Sequence, residues 1–328
     1  MEIIFSFIVA FLVTFGAGKV LIPVLRRMKA GQSIKENGPT WHMSKQGTPT
    51  MGGLMFIIGI GIAILILGWP SMMRGDYGHL IVYAFALVFG VIGYIDDYEK
   101  VKKHQNTGLT AIQKFGLQLA AALLFTVLLR HEGYLSPNLY IPFFNMELIL
   151  PWWLYMVFAA FVMVGTVNAV NITDGVDGLS TGVTMPVALF YTAVACYWGY
   201  TTLGIFAAAV FGGLCAFLIY NFHPAKVFMG DTGSLFLGGV VCGLAFALDI
   251  PLALITVGII YIAETLSDII QVAYFKATHG KRIFRMAPLH HHFEMGGWSE
   301  EKLFCVFSGV TVLTCVATFF GVMNRFPV

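Results

Sequence analysis

Residues 203–221 read LGIFAAAVFGGLCAFLIYN, a run of nineteen residues without a charged side chain. As an α-helix rising about 1.5 Å per residue, this run is close to 30 Å long, which is the thickness of the hydrocarbon core of a bilayer. A helix satisfies its own backbone hydrogen bonds, as a segment in lipid must. The run therefore predicts a membrane-spanning helix.

Nine further apolar runs lie before and after this one. Together they predict an all-α polytopic membrane protein with ten transmembrane helices, folded as a single domain over residues 1–328. The predicted spans are residues 3–25, 51–69, 79–96, 111–130, 151–170, 180–199, 203–221, 235–249, 250–275 and 303–323.

The composition supports this interpretation. Hydrophobic residues make up 58% of the chain and charged residues 11%, whereas an ordinary soluble domain is roughly 25% charged. So little charge excludes a soluble enzyme, a disordered chain and a collagen-like fibre. The formal net charge is +2, which gives no reason to expect a nucleic-acid partner.

Lysine and arginine are unequally divided between the two sets of connections, with fifteen residues in one set and three in the other. Because cytoplasmic loops carry the excess of basic residues, the first set is predicted to be cytoplasmic and both termini to lie outside. Most acidic residues share the cytoplasmic side, so the active site is expected there. The cytoplasmic loops are predicted near residues 26–50, 97–110, 171–179, 222–234 and 276–302.

Two segments are expected to depart from simple spans. Glycine and proline interrupt the outer connection 131–150, which predicts a small hairpin. In the ninth span Glu264, Asp268 and Gln271 share one helical face. We expect a break near 264–268, followed by an amphipathic half lying obliquely at the inner surface; a polar seam between helices is the alternative.

The third span ends in DDYEK, residues 96–100. The C-terminal end of a helix carries partial negative charge, so two carboxylates there need positive compensation, which Lys100 can supply from one turn away. Adjacent residues point about 100° apart. One aspartate is therefore predicted to face a metal or substrate while the other positions it, and an interfacial ion pair is the alternative.

The connection between spans five and six contains NAVNITDGVDG, residues 168–178. Its asparagine, threonine and aspartate side chains suit Mg²⁺ or the polar groups of a nucleoside, and its glycines permit tight turns. The alternative is a polar turn in which Asp177 or Ser180 caps the next helix. A cap requires only one such residue, and this connection has several.

Two more polar motifs precede later spans. In FMGDTGS, residues 228–234, Phe228 offers a ring for a base to stack on and Asp231 offers a hard oxygen ligand, although Asp231 could instead cap the helix. In PLHHHFE, residues 288–294, three consecutive histidines lack the spacing of a zinc protease. Histidines beside a phosphate donate hydrogen bonds or relieve leaving-group charge, and a solvated loop is the alternative.

The first cytoplasmic loop adds KQGTPTMGG, residues 45–53, in which Lys45 is available to an anionic ligand. The motifs together provide carboxylates for Mg²⁺, cations for phosphates, an aromatic ring for a base and histidines for charge relief. Such a set is typical of phosphoryl transfer from a soluble nucleotide-linked donor. Ten helices indicate a lipid acceptor, so the residues predict a cytoplasmic-face, metal-assisted phosphotransferase acting on a lipid.

These motifs, in this order, resemble those of the bacterial phospho-N-acetylmuramoyl-pentapeptide transferase family, also called translocase I, within the polyprenyl-phosphate N-acetylhexosamine-1-phosphate transferases. The resemblance implies Mg²⁺-dependent transfer of phospho-MurNAc-pentapeptide from UDP-MurNAc-pentapeptide to undecaprenyl phosphate, giving lipid I and UMP. It also implies a homodimer in the bacterial inner membrane, with a broken ninth helix.

The resemblance further implies roles for individual residues. Asp96 and Asp97 match the acidic pair, with Asp96 as the base that deprotonates the lipid phosphate or as the nucleophile of a two-step reaction. Asp231 matches the magnesium ligand, and His290 is the histidine expected to be catalytic. The remaining matched residues belong to the nucleoside-side and catalytic loop (Asp174 as a catalytic residue; Asn171, Gly175 and Asp177 as substrate-binding residues), together with Lys45 in the uridine pocket, Phe228 against uracil, Lys100 on the diphosphate, and His291 and His292 in the histidine motif.

Two alternatives stay open at this point. A sister transferase that loads another UDP-N-acetylhexosamine onto a polyprenyl carrier would share the acidic pair and Asp231, although PLHHHFE and GTPTMGG argue against it. A transporter is more remote, because charged residues within the spans are few and lie near the inner surface.

Overall fold

A computed structural model describes residues 1–28, 45, 47–103 and 108–326, so most of the predicted first cytoplasmic loop lies outside the described residues. The helices are α1 (Glu2–Arg27), α2 (Gly53–Leu67), α3 (Trp69–Met72), α4 (Gly78–Lys103), α5 (Ala111–His131), α6 (Trp152–Thr173), α7 (Leu179–Tyr197), α8 (Thr201–Asn221), α9 (Gly230–Ala247), α10 (Leu254–Val257), α11 (Ile259–Ala277), α12 (Leu289–Glu294) and α13 (Glu300–Val322). A 3₁₀ turn at Pro251–Ala253 precedes α10, and the strands are β1 (Asn138–Ile141) and β2 (Met146–Ile149).

The chain is a mostly helical, polytopic membrane protein. Within the described ranges, eight helices are long and apolar enough to cross a membrane, and the bent segment from Pro251 to Ala277 would make a ninth. Helix α2 coincides with the second predicted span but has only 15 residues. Ten spans, with both termini outside, therefore stay a prediction.

The ninth predicted span is broken, but the predicted position of the break was wrong. The helix axis turns by 78° at Gly258, between α10 and α11, and not near 264–268. Gly258 has φ −97° and ψ 15°, outside the regular helical range. Glu264 lies inside the regular helix α11 and is fully buried. A hydrogen-bonding partner, described below, stabilises this carboxylate without a break in the helix.

The connection 131–150 forms the predicted hairpin. Strand β1 pairs antiparallel with β2, with Asn138 opposite Ile149 and Ile141 opposite Met146. Over the residues that the structure describes, the fold is thus all-α except for this two-stranded sheet, which corrects the sequence-based fold class in that one respect.

Helix α9 lies at the centre of the bundle, packed against α4 and α6 and at its beginning against α2. The contact with α2 depends on glycine, since a Cβ atom on Gly53 would lie 2.5 Å from the backbone nitrogen of Gly233. Two backbone hydrogen bonds also join the segment before α2 to the segment before α9: Gly52 N donates to Phe228 O (2.8 Å), and Phe228 N donates to Pro49 O (2.8 Å). The GTPTMGG segment is thereby fixed beside the first turn of α9.

We call the region where α4, α6 and α8 end and α5, α7 and α9 begin the site end. Side chains from these helix ends contact one another directly, as described in the next section. The hairpin and the C-terminal end of α9 lie at the opposite end.

Candidate active site

Three predicted aspartates from two helices meet at the site end. Asp96 and Asp97 lie in the last two turns of α4 and Asp231 in the first turn of α9. One carboxylate oxygen of each lies within 4.8 Å of the others. We call these residues, with Lys100 and Lys114, the aspartate cluster.

The Asp97 side chain links α4 to the beginning of α9 through hydrogen bonds. Its carboxylate accepts hydrogen bonds from the backbone nitrogens of Asp231 (3.2 Å) and Thr232 (2.9 Å) and from Thr232 Oγ1 (2.7 Å). A carboxylate is favourable there, because the N-terminal end of a helix carries partial positive charge. Asp97 therefore caps α9, and the suggestion that Asp231 does so was wrong.

Two lysines compensate the negative charge of the aspartate cluster. Lys100 Nζ lies 2.6 Å from Asp96 Oδ2 and 2.9 Å from Asp231 Oδ2. Lys114 Nζ, from the first turns of α5, lies 3.3 Å and 2.8 Å from the same two oxygens. Lys100 was predicted for this site, and Lys114 was not.

A signal for Lys114 was nonetheless present in the sequence. A lysine near the beginning of a helix is opposed by the positive end of the helix dipole, so it is favoured there only beside an anion. Thr110 marks the start of α5 through a capping box with Gln113. Lys114, which directly follows Gln113, could therefore have been expected to have an anionic partner from elsewhere in the fold.

The end of α6 completes this side of the site. Asn171 Nδ2 donates to Asp231 Oδ1 (2.9 Å) and contacts Ser234 Oγ (2.7 Å). Asp174 follows directly after α6 and is partly buried. Its desolvation raises its pKa to about 8, and the negative charges of Asp231, Asp97 and Asp177 add to that rise.

A second group, the Lys45 cluster, comprises Lys45, Asp177, His223 and Glu300. Lys45 Nζ lies 2.7 Å from Asp177 Oδ1 and 2.6 Å from Glu300 Oε2. His223 Nδ1 lies 3.0 Å from Asp177 Oδ2, and the Asp177 backbone nitrogen donates to Glu300 Oε2 (3.0 Å). Asp177 thus links Lys45, His223 and Glu300, which come from three different connections or helix ends. It does not cap α7, because the residue before the first turn of that helix is Gly178, with φ 73°.

His290 is buried and faces the 174–178 turn. Its Nδ1 lies 2.8 Å from Glu264 Oε2 on α11. The opposite side of its ring packs against Gly175, where a Cβ atom would lie 2.7 Å from His290 Cε1. A solvated histidine loop is therefore wrong for His290.

The other two histidines contact their own connection. His291 Nδ1 lies 2.7 Å from Glu294 Oε2, and His292 Nδ1 accepts a hydrogen bond from the backbone nitrogen of Arg285 (3.1 Å). Phe228 is partly buried, and its backbone pairs with the GTPTMGG segment. The substrate roles of His291, His292 and the Phe228 ring stay predictions.

The aspartate cluster fits a divalent cation of the Mg²⁺ type. Carboxylate oxygens are the ligands that Mg²⁺ prefers, and three of them converge here from rigid helix ends. Asp177, His223 and Glu300 also lie close enough together to hold an ion. In that cluster, however, the Lys45 ammonium already contacts both carboxylates and provides the positive charge.

Comparisons with known proteins agree with the motifs. A family model described as Glycosyl transferase family 4 matches residues 79–249. The model described as Phospho-N-acetylmuramoyl-pentapeptide-transferase signature 1 matches residues 45–57, which include Lys45 and the GTPTMGG segment.

Full-length relatives carry the same name. The phospho-N-acetylmuramoyl-pentapeptide-transferase of Clostridium acetobutylicum is 45% identical over 325 residues, which is 98% of this chain and 99% of the relative. Those of Staphylococcus carnosus (47% over 310 residues; 94% and 95%) and Heliobacterium modesticaldum (45% over 331 residues; 100% and 99%) are similarly close. The chain therefore belongs to the phospho-N-acetylmuramoyl-pentapeptide-transferase family and is a membrane-embedded phospho-sugar transferase.

Proposed function

We propose that the protein transfers phospho-MurNAc-pentapeptide from UDP-MurNAc-pentapeptide to undecaprenyl phosphate, giving lipid I and UMP, in an Mg²⁺-dependent reaction. The observation that carries the proposal is the convergence of Asp96, Asp97 and Asp231 with Lys100 and Lys114 at one end of the helix bundle. Carboxylates beside lysines provide both a metal site and a diphosphate site, as phosphoryl transfer requires.

The proposed topology has ten spans and both termini outside. It counts α2 as the second span and the bent segment 251–277 as the ninth. The excess of lysine and arginine at the site end supports a cytoplasmic active site in the bacterial inner membrane. We propose one domain over residues 1–328, with the five predicted cytoplasmic loops forming the site.

Asp231 is proposed as the principal magnesium ligand, with Asp96 and Asp97 completing the acidic group. A bound magnesium ion would offset diphosphate charge and polarise the phosphoryl oxygens. Lys100 and Lys114 each contact two carboxylates in this structure. Their ammonium groups can turn from these carboxylates to diphosphate oxygens, because lysine side chains are flexible and carry several donors.

In the proposed reaction, Asp96 accepts the proton of the lipid phosphate. The freed phosphate oxygen attacks the phosphorus linked to the sugar, and the bond from that phosphorus to the UMP oxygen breaks. Asp174 and His290 are the further catalytic groups. A two-step route through a phosphorylated Asp96 or Asp97 is the alternative, and stereochemistry distinguishes the two: inversion at phosphorus supports direct transfer, and retention supports two steps.

The nucleotide is proposed to lie between the Lys45 cluster and the end of α6. The residues assigned to substrate binding are Lys45, Lys100, Asn171, Gly175, Asp177, Phe228, His291 and His292. Lys45 is held in this region by two carboxylates. Release of Lys45 from one of them would give the anionic nucleotide a cation without a large movement of the backbone.

The remaining proposals concern partners. The acceptor lipid is proposed to reach the site beside α11, whose exposed residues include Ile269 and Val272. Bulky substitutions at these positions are expected to raise the KM for the lipid, and an unchanged KM would argue against this route.

The proposed homodimer rests on the family resemblance. The mass of the purified protein in nanodiscs tests it.

The decisive experiment measures UMP release with UDP-MurNAc-pentapeptide and UDP-GlcNAc in separate reactions. Each reaction contains undecaprenyl phosphate, and the control contains undecaprenol, which lacks the attacking phosphate. We expect release only with the pentapeptide donor, the phosphorylated acceptor and Mg²⁺, together with a lipid-soluble product. Equal release with UDP-GlcNAc would instead identify a sister transferase, and the match of the family signature to residues 45–57 argues against that outcome.

A further inference from the structure

A carboxylate that the proposed reaction does not use lies inside α11. Glu264 has no solvent exposure, and His290 is 1% exposed. Two groups of His290 contact this one carboxylate: the ring Nδ1 lies 2.8 Å from Glu264 Oε2, and the backbone nitrogen donates to Glu264 Oε1 at 3.1 Å. The acidic side chain is therefore bound to the histidine at both its ring and its backbone.

This double contact determines both the orientation and the tautomer of the ring. A carboxylate only accepts hydrogen bonds, so the ring must carry its hydrogen on Nδ1. In the neutral ring, Nε2 then presents a lone pair. Nε2 is buried, has no hydrogen-bonding partner in the described part of the chain and lies on the side of Gly175.

Packing alone does not account for Glu264. A buried carboxylate in a segment close to lipid is costly, and an apolar side chain would fill the same space at lower cost. Gln271, two turns further along α11, anchors the same connection without charge, because its side chain bonds to the backbones of Ile283 and Phe284. A role as a simple anchor would therefore not need an acid.

We propose that Glu264 is a positioning residue that holds the hydrogen of His290 on Nδ1, so that Nε2 faces the substrate. Carboxylate–histidine pairs of this kind fix the tautomer and the orientation of a catalytic imidazole. The proposal rests on the proposed function, in which His290 takes part in the transfer, and adds that its competence depends on Glu264.

The test is a double-mutant cycle measured by UMP release. Glu264→Gln, His290→Asn and the double variant are compared with Ser267→Ala. Ser267 is a matched control, because it is buried on the same helix and its hydroxyl donates to the Glu264 backbone oxygen (2.7 Å). The melting temperature and the KM for the UDP-sugar are measured for every variant.

We expect Glu264→Gln to lower kcat about 100-fold, within the range of a lost acid–base contribution, with KM and melting temperature little changed. The double variant should be no slower than His290→Asn, because Glu264 acts only through that ring. Ser267→Ala should stay within about twofold of the wild type, since a single intrahelical side-chain bond contributes little. Full activity of Glu264→Gln, or losses that multiply in the double variant, would overturn the proposal.

The cycle separates this inference from the function on which it rests. Normal turnover by His290→Asn would contradict the catalytic role proposed for His290 itself. An inactive His290→Asn together with a normal Glu264→Gln would overturn the positioning role alone.

A second measurement needs no variant at position 264. In wild-type protein labelled with ¹⁵N-histidine, the resonance that disappears in His290→Asn should report a ring protonated at Nδ1 and unprotonated at Nε2. The reverse tautomer would overturn the proposal even if every Glu264 variant failed to fold.

Discussion

The two ends of the bundle treat buried carboxylates in opposite ways. At the opposite end, Asp76 accepts hydrogen bonds from the side chains of Tyr134 (2.9 Å) and Thr202 (3.1 Å), and Asp249 pairs with Arg325 and Ser136. Each aspartate there has partners of its own. At the site end, the carboxylates of Asp96 and Asp231 share two flexible lysines, and the Asp97 carboxylate lies beside them.

The pKa values of two aspartates show the same contrast. Burial raises the pKa of Asp249 to about 6, while Arg325 and Ser136 oppose the rise. Burial raises the pKa of Asp174 to about 8, and neighbouring carboxylates increase the rise. The partners of Asp249 thus favour its charged form, whereas the carboxylates around Asp174 disfavour its charged form.

Asp231→Asn should give the largest effect, a loss of about 10³-fold in UMP release, because it removes a charge from the centre of the aspartate cluster. Asp96→Asn should be comparably impaired. Near-normal turnover by both variants would contradict the site assignment. The control is Asp249→Asn at the opposite end, which should leave the turnover of folded protein unchanged.

Lys114→Met should lower kcat/KM about 10- to 100-fold, because one of the two cations of the aspartate cluster is lost and phosphate contacts weaken with it. Lys103→Met is the matched control. Lys103, the last residue of α4, also lies at the site end, but its side chain is 54% exposed and pairs with Glu99, so its loss should change kcat/KM less than twofold. Equal effects from the two variants would show that Lys114 contributes only surface charge.

Arg325→Met should lower the melting temperature by about 5 °C or more while leaving kcat intact. The Arg325 side chain is 2% exposed and pairs with Asp249, and the loss of one partner leaves a buried charge uncompensated. The double variant with Asp249→Asn should recover part of the loss. Arg130→Met, which removes an exposed arginine over the Trp152 ring, should change the melting temperature by less than about 2 °C. A fall in kcat would contradict the division between the two ends.

Asp174→Asn should raise the melting temperature of metal-free, substrate-free protein at pH 8.5, by about 2 °C or more, with little gain at pH 5. The pKa of Asp174 is higher in the folded protein, about 8, than in the unfolded chain, about 4. Its contribution to stability is therefore fully present below pH 4 and is lost as the pH rises towards 8. The same variant should lose activity. If Asp174→Asn and the wild type melted at the same temperature at both pH values, the ionised Asp174 carboxylate would not destabilise the folded protein.

Much of the fold followed from the sequence, because lipid leaves so few alternatives. A run such as 203–221 must be helical, and α8 covers Thr201–Asn221. Motifs at the ends of alternate spans must lie at one end of the bundle, which predicted that DDYEK and Asp231 would share the same face. The 100° between Asp96 and Asp97 predicted different roles for the two carboxylates, and their partners differ: Lys100 and Lys114 contact Asp96, whereas Asp97 caps α9.

What the sequence did not reveal depends on packing between distant segments. Lys114 and Asp231 are 117 positions apart, and Lys45 and Glu300 are 255 apart. No local pattern specifies such pairs. The break at Gly258 was missed because Glu264 and Asp268 looked too polar for a straight span, whereas a partner in the connection after α11 satisfies Glu264.

The contact between Lys45 and Glu300 also has a consequence for biosynthesis. Chains emerge from the ribosome with the N-terminal segment first, so Lys45 is made long before its partner at the beginning of α13. A nascent chain can assemble the aspartate cluster once α9 is inserted, but the Lys45 cluster stays incomplete until the last helix follows. A chain truncated before α13 would thus hold Asp96, Asp97 and Asp231, the proposed metal-binding residues, without Glu300, and so without the complete Lys45 cluster beside which the nucleotide is proposed to bind.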